Sequence, residues 1–310
     1  MNTIDRVAVC SRSFSRNAVL RAELLSRYKF VTFNETGCQL EGDRLVEFLN
    51  GQTKAITALE TINEYVLSRL PELKVIGKYG VGLDMIDILA MRRHRKYLGW
   101  TSGVNRRSAA ELTLAFAIMM LRHVPAANRE VLSGTWRQQS GRLLSGRSFG
   151  IIGCGHIGKD LVKLLQPFGC SILVNDIRNY DDFYNQYGIV AVQLEELLAR
   201  SDVVTLHVPL DNSTRGLLTA DRLAIMKPSA ILINAARGGL VDESALKSAL
   251  LEHKLSGAAF DVFADEPPKD TELLNLPNFM STPHIGGSAE EAIEAMCRAA
   301  IDGLDINQIP

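Results

Sequence analysis

The chain has no cysteine pair at metal-ligand or redox spacing. Its five cysteines, Cys10, Cys38, Cys154, Cys170 and Cys297, are odd in number and widely spread. That argues against a disulfide framework or a structural zinc site, so no metal is expected, and it points to the cytoplasm. No apolar run approaches the roughly 18 uncharged residues of a membrane span. The best stretch, 112–121, is too short and reads as buried helix. Residues 1–10 carry Asp5 and Arg6 and lack the apolar core of a signal peptide. Nor is there an excess of charge of one sign. Against 35 acidic residues stand 34 basic ones, a formal net charge of −1. Neither nucleic acid nor an anionic membrane is expected as the main partner. Internal repeats and low-complexity linkers are missing as well.

What is present is a regular alternation. From residue 148 onward, apolar strands at 149–152, 171–175, 203–208, 230–233 and 257–262 are interleaved with helices at 157–166, 194–198 and 243–250. Short apolar strands separated by helices predict an α/β protein with a doubly wound parallel sheet. Ahead of it, strands at 6–10, 28–33 and 73–76 and a helix at 17–28 make a smaller α/β unit without a phosphate loop. Between them, 108–122 is the strongest helix. Ser108 with Glu111 reads as a capping box, and the body is apolar almost all round, so it should be buried on more than one side. Ser288 with Glu291 marks a last helix at about 289–303 by the same rule.

The strand at 149–152 runs into Gly153-Cys154-Gly155-His156-Ile157-Gly158, a G-x-G-x-x-G that opens a helix. Gly153 allows the tight turn, Gly155 lets backbone approach a pyrophosphate, and Gly158 lets helix and strand pack closely. The helix N-terminus adds N–H groups and a positive dipole end. Alone the pattern is weak. It gains from Asp176, which ends the next strand eighteen positions after Gly158, where an acid binds adenosine ribose hydroxyls. A carboxylate there repels a 2′-phosphate and favours NAD, although Arg178 nearby can accept one.

Three polar loops follow later strands: Asn234 to Gly239, Asp261 to Pro267, and Thr282 to Gly287. In open parallel sheets, ligands bind beyond the carboxyl ends of strands. Oxidising a secondary alcohol needs a base for the hydroxyl proton. Histidine suits it, oriented by a carboxylate, with an arginine to clamp a substrate carboxylate. The roles fall to Arg237 for anchoring, Glu266 for orienting and His284 for acid/base. Each has a bland alternative: a surface ion pair, turn chemistry before Pro267, a structural histidine. His94, His123, His207 and His253 take the bland reading.

Taken together, the glycine run, NAARGGLVD (234–242), AAFDVFADEPP (258–268) and STPHIGG (281–287) resemble the D-isomer-specific 2-hydroxyacid dehydrogenases. KYGVGLDMIDI (78–88) and TSGVNRRSAAELTL (101–114) resemble that family's substrate loop and its re-entry into the cofactor domain. The resemblance implies two Rossmann-like domains with a cleft between them. The substrate domain would be discontinuous, 1–100 plus 285–310, and the NAD domain would be 101–284. It implies catalysis by Arg237, Glu266 and His284. It implies cofactor contacts at Gly153, Gly155, His156, Ile157, Gly158, Asp176, Val208, Pro209, Ala235, Ala236, Asp261, Gly286 and Gly287. Substrate contacts fall at Lys78, Tyr79, Gly80, Val81, Gly82 and Asn105. The expected partner is a small 2-hydroxy acid, with homodimerisation through the helix after Ser108.

Within the family the look is towards phosphoglycerate-type enzymes, because Lys78 offers a cation to a phosphate. Glyoxylate/hydroxypyruvate reduction is the alternative. A non-enzymatic NAD-sensing corepressor resembling the family would keep the same residues. The basic run Arg92 to Lys96 reads as a solvated helix face, or else as a rim for an anionic partner.

Overall fold

The computed structural model describes residues 1–310. It comprises two compact units, Met1–Asn105 with Glu290–Pro310, and Arg106–Ala289. The divisions lie about five residues later than the bounds that the resemblance implies.

The first unit has five strands: β1 (Asn2–Val9), β2 (Tyr28–Phe33), β3 (Lys54–Thr57), β4 (Val75–Lys78) and β5 (Tyr97–Gly99). They lie in the order β2-β1-β3-β4-β5, all parallel. Side chains alternate across the sheet. Ala8 and Ile76 pack with Leu45, Leu49, Val66 and Met91 on one face. Val7, Val9 and Ile56 pack with Leu20, Leu24, Ala300, Ile301 and Leu304 on the other. The helix Glu290–Gly303 therefore completes a core begun at residue 7. It lies backbone to backbone on the register partners Gly77 and Gly99. A Cβ at Gly77 would run into the Ala300 carbonyl, and one at Gly99 into Gly303. Only glycine permits that approach.

The basic run belongs to this unit and is mostly engaged within it. Arg93 and His94 pair with Glu64, and the Arg92 Nε meets the Pro310 carbonyl. Lys96 is buried and donates to the carbonyls of Leu70 and Pro71 at 2.8 and 3.2 Å.

The second unit has seven strands: β6 (Ser148–Ile152), β7 (Ser171–Asn175), β8 (Val190–Ala191), β9 (Val203–Leu206), β10 (Ile231–Asn234), β11 (Gly257–Phe260) and β12 (Phe279–Ser281). Their order is β12-β11-β10-β9-β6-β7-β8, again all parallel. Strand order reverses between β6 and β9, which makes that the switch point. Ile151, Val203, Ile233 and Ala259 face Phe116, Ala117, Leu161 and Leu165. Leu206, Leu232 and Phe260 face Leu197, Leu246, Leu250 and Phe279. β9 and β11 end two residues earlier than the apolar runs suggest. After β9, Pro209 has no N–H for a ladder.

Two capping boxes expected from the sequence are not formed. The long helix starts at Arg106 and runs to Leu121, so Ser108 lies inside its first turn. There its Oγ accepts from the Ala289 N–H at 3.3 Å. The last helix starts at Glu290, and Ser288 instead donates its N–H to the Ile285 carbonyl at 2.8 Å. In both cases a tertiary or turn bond has claimed the group that local capping would use. The long helix buries Ala109, Ala110, Thr113, Phe116, Ala117, Met120 and Leu121, while Arg106, Arg107, Glu111 and Ala115 stay exposed. No single helix is long and apolar enough to cross a membrane.

Candidate active site

The glycine turn sits at the switch point. Gly153 has φ +96°, and a Cβ there would lie 2.8 Å from the His207 carbonyl and from Val208 Cγ1. The turn and the exit of β9, Val208 and Pro209, are thereby pressed together. A Cβ on Gly155 would meet open space, and Gly155 caps the helix His156–Leu165 with no side-chain bond. A Cβ on Gly158 would collide with the Gly153 carbonyl. The three glycines thus serve a tight turn, an open approach and a close packing, which fits a dinucleotide pyrophosphate. Cys154, between them, is buried. Burial pushes its thiol up to about 11, so it is inert at neutral pH.

Asp176 follows β7 and turns back to the same loop. Its Oδ2 accepts from the Cys154 N–H at 2.6 Å and its Oδ1 from the Arg178 N–H at 2.7 Å. Each carboxylate oxygen has a second lone pair, which leaves acceptors for ribose hydroxyls.

Across the switch, β10 ends at Asn234, which is 1% exposed. Its Oδ1 accepts from the Ala236 N–H at 3.2 Å, and its Nδ2 donates to the Arg237 carbonyl at 2.9 Å. That sets the turn holding Ala235, Ala236 and Arg237. The Arg237 guanidinium donates to the Ala236 carbonyl at 2.6 Å. The next residue, Gly238, packs directly on the loop after β11, because a Cβ there would overlap the Phe263 carbonyl. That second loop carries Glu266. The Glu266 Oε1 accepts from the Phe263 N–H at 3.1 Å, and its Oε2 lies 2.9 Å from His284 Nδ1. Glu243 Oε1 accepts from the Ala264 N–H at 2.7 Å. Burial, reinforced by the Asp265, Asp270 and Asp242 charges, raises the Glu243 pKa.

His284 has φ +55°, a conformation an L-residue keeps only when its surroundings impose it. Its N–H donates to the Asp261 and Thr282 carbonyls at 2.9 and 3.0 Å. The Asp261 carboxylate holds the same loop through Thr282 Oγ1, the Ile285 N–H and the Gly286 N–H, at 2.5, 2.7 and 2.7 Å. Gly287 follows in that turn. Side-chain exposures of 50% for His284 and 40% for Glu266 leave the pair open to a reactant. With Nδ1 against the carboxylate, Nε2 is the ring nitrogen that can exchange a proton. A cavity of about 470 Å³ adjoins the pair, lined by Phe263, Pro267, Pro268 and Leu274 among others.

The second unit thus gathers Arg237, Glu266, His284 and every expected cofactor residue at the carboxyl edge of one sheet. The expected substrate residues lie in the first unit. Lys78 is buried, and its ammonium donates to the carbonyls of Ala58 and Tyr79. The Tyr79 ring packs edge-on against Phe14. Gly80 has φ +116°, and the Val81 carbonyl accepts from Trp100 Nε1 at 3.0 Å. Gly82 follows in the same loop. Asn105 is buried with its Oδ1 unpaired. Sequence reasoning assigned no part to Asn234, Thr282 or Glu243. The available signal was a polar residue closing an apolar strand, ILI-Asn234 and AAF-Asp261.

Residues 114–286 match the family model described as "D-isomer specific 2-hydroxyacid dehydrogenase, NAD binding domain". The chain is 40% identical over 233 residues to the D-3-phosphoglycerate dehydrogenase of Methanocaldococcus jannaschii, 74% of this chain but 44% of that protein. It therefore spans less than half the length of that relative. It is 35% identical over 264 residues to the glyoxylate reductase of Thermococcus litoralis, covering 82% and 80% of the two chains. The crystal structure of D-lactate dehydrogenase from Aquifex aeolicus with NAD and lactic acid superposes with a TM-score of 0.82. It is 26% identical and covers 97% of this chain and 93% of that one.

Proposed function

Since the chain belongs to the D-isomer specific 2-hydroxyacid dehydrogenase family, whose NAD-binding domain it carries, we propose that it interconverts a D-2-hydroxy acid and its 2-oxo acid. The observation that supports this best is the His284–Glu266 contact at 2.9 Å. It stands one loop from Arg237 and on the same sheet edge as the glycine turn. Bound NAD supplies the hydride acceptor. His284 Nε2 takes the hydroxyl proton during oxidation and returns it to the carbonyl oxygen during reduction. Glu266 fixes the ring tautomer and stabilises the imidazolium. The Arg237 guanidinium grips the substrate carboxylate and polarises the carbonyl. The residues that the resemblance assigns to substrate, Lys78 to Gly82 and Asn105, lie in the first unit. Asp176 at the ribose favours NAD over NADP.

For the substrate, 3-phosphoglycerate is the first reading, on the strength of the Methanocaldococcus relative and a cation at position 78. The engagement of that ammonium with two carbonyls favours a second reading, a small uncharged-side-chain acid of the glyoxylate/hydroxypyruvate type. A panel of D- and L-2-hydroxy acids with NAD or NADP, followed by the absorbance of reduced nicotinamide, separates these. Absence of turnover across the panel, with NAD binding intact, would leave the non-enzymatic sensor reading standing instead.

The helix Val124–Leu132 buries none of its residues fully. Val131 and Leu132 on it, and Trp136 and Leu143 in the segment that follows, are exposed apolar side chains of the kind that interfaces cover. We assign homodimerisation to this region, which continues the long helix Arg106–Leu121. The five cysteines are all unpaired, in keeping with a reducing cytoplasm.

A further inference from the structure

The peptide joining Phe263 to Ala264 is held from one side by the segment that follows Arg237. Its carbonyl lies against Gly238, where even a Cβ would overlap it. Its N–H, that of Ala264, donates to Glu243 Oε1 at 2.7 Å. The preceding N–H, that of Phe263, donates to Glu266 Oε1, and the other Glu266 oxygen meets His284 Nδ1. Gly238 and Glu243 act on this loop in opposite senses. Packing at Gly238 sets how near the loops of Arg237 and Glu266 can come. The Glu243 bond is an attraction, which keeps them from drifting apart.

Glu243 opens the helix Glu243–Leu251, where the helix dipole alone favours an acid. Asp242 already caps that end, its Oδ1 accepting from the Ser244 and Ala245 N–H groups at 3.0 Å each. The Glu243 carboxylate reaches off the helix instead. Ala264 is exposed, so water could serve its N–H, and burial does not demand this acceptor. Lys247, one turn along the helix, is committed to Asp270 and Glu272. Half-buried, the Glu243 carboxylate faces Asp265, Asp270 and Asp242, and burial with those charges raises its pKa; Lys269 lines the same hollow. A carboxylate kept among acids is costly, and what it gains there is the Ala264 bond. An ionised acceptor makes that bond about twice as strong as a neutral one.

We propose that Glu243 is a positioning residue: through the Ala264 N–H it holds the loop of Glu266 against the loop of Arg237, and so sets the reach of Glu266 to His284. The effect on turnover rests on the dehydrogenase reading above, but the tie itself is a property of the two loops. Glu243 touches neither reactant in this scheme. Its loss is felt through the placement of Glu266.

Three substitutions separate acceptor, charge and reach. Glu243→Gln keeps the reach and a neutral acceptor, Glu243→Asp keeps the charge but falls one methylene short, and Glu243→Ala removes both. At neutral pH and saturating substrates, kcat should fall about two- to fivefold for the Gln variant and about tenfold or more for the Asp and Ala variants. By calorimetry, NAD affinity should change less than kcat in each. Hydrogen exchange at the Ala264 amide should quicken about tenfold or more in the Asp and Ala variants. The pH dependence of the ratio of wild-type to Gln-variant kcat is a readout that a merely structural role would not move. Groups common to both proteins, His284 and Glu266 among them, cancel in it. As pH falls and Glu243 takes up a proton, the wild-type acceptor becomes neutral as well, so the ratio should fall towards one. A ratio independent of pH overturns the proposal, and so does an Asp variant with kcat within about twofold of wild type. Wild-type exchange at Ala264 in the Asp variant overturns the tie itself. If the Ala variant does not fold, the Gln and Asp variants carry the test. If the wild-type protein turns over no 2-hydroxy acid, the dehydrogenase reading fails by itself, and exchange at Ala264 still decides the tie.

Discussion

Replacing Gly238 by alanine adds one methyl group where two loops of the active site meet. The new Cβ would overlap the Phe263 carbonyl and lie 2.5 Å from the Ala264 nitrogen. Ordinary contact begins near 3.4 Å. All the opposing atoms are backbone, so no rotamer change relieves the clash, and the loops must separate by more than about 1 Å. One loop carries Arg237 and the other carries Glu266, so the displacement falls on the spacing between the proposed substrate clamp and the carboxylate bonded to His284. A misplacement of about 1 Å costs on the order of 100-fold in rate. Overpacking adds about 1–3 kcal/mol of instability, or roughly 5 °C in melting temperature for a unit of this size. The glycine turn lies elsewhere on the sheet, so NAD affinity should fall less than turnover does. Steady-state kinetics, calorimetry with NAD and a thermal melt read all three quantities. A variant with kcat within threefold of wild type would refute the claim that these loops are held in mutual register by backbone contact.

Four further outcomes follow from the same geometry. His284→Ala should lower turnover by 10²–10⁴-fold, with NAD binding retained in a fluorescence titration; undiminished turnover removes the histidine from the chemistry. Gly158→Ala drives a methyl into the Gly153 carbonyl and should weaken NAD binding more than tenfold by calorimetry. His207 keeps some residue-level exposure, but its Nδ1 is cut off from solvent without a partner, and burial lowers its pKa to about 3. Its folded value is depressed, so the stability it contributes is present above the unfolded value near 6.5 and is lost as pH falls towards 3. Between pH 6.5 and 5 this amounts to about 2 kcal/mol, and urea unfolding of His207→Asn should show that much less acid sensitivity than wild type. Leu132→Asp should shift the protein towards monomer in light scattering if the apolar face near Trp136 joins two copies; an unaltered mass would place the interface elsewhere.

The parallel sheets were legible because their strands are brief apolar runs separated by helices, and the glycine turn because each of its glycines answers a separate steric demand. The helix starts at Ser108 and Ser288 were misread for a physical reason. A capping box is a local pattern, and the Ser108 hydroxyl is bonded to Ala289, 181 residues away. The resemblance marked Asp261 as a cofactor contact, but for its hold on the His284 loop the residues offered only an acid after an apolar strand. Its partners lie 21 to 25 positions downstream, a separation at which no local spacing rule operates. Lys78 shows the same limit from the other side. Its charge was visible in the sequence, but its ammonium turns inward to backbone carbonyls, and that depends on where the chain end of β3 lies.

The helix Glu290–Gly303 has a bearing on biosynthesis. It supplies Cys297, Ala300 and Ile301 to the hydrophobic interior laid down by the first 56 residues. As the chain emerges from the ribosome, the early strands must wait for roughly 200 more residues before that interior can close, about 10–40 s at ordinary elongation rates. The unit from Arg106 to Ala289 is continuous and can finish in the meantime. Nascent chains halted near residue 290 should therefore resist protease over the later segment while the earlier one is still digested.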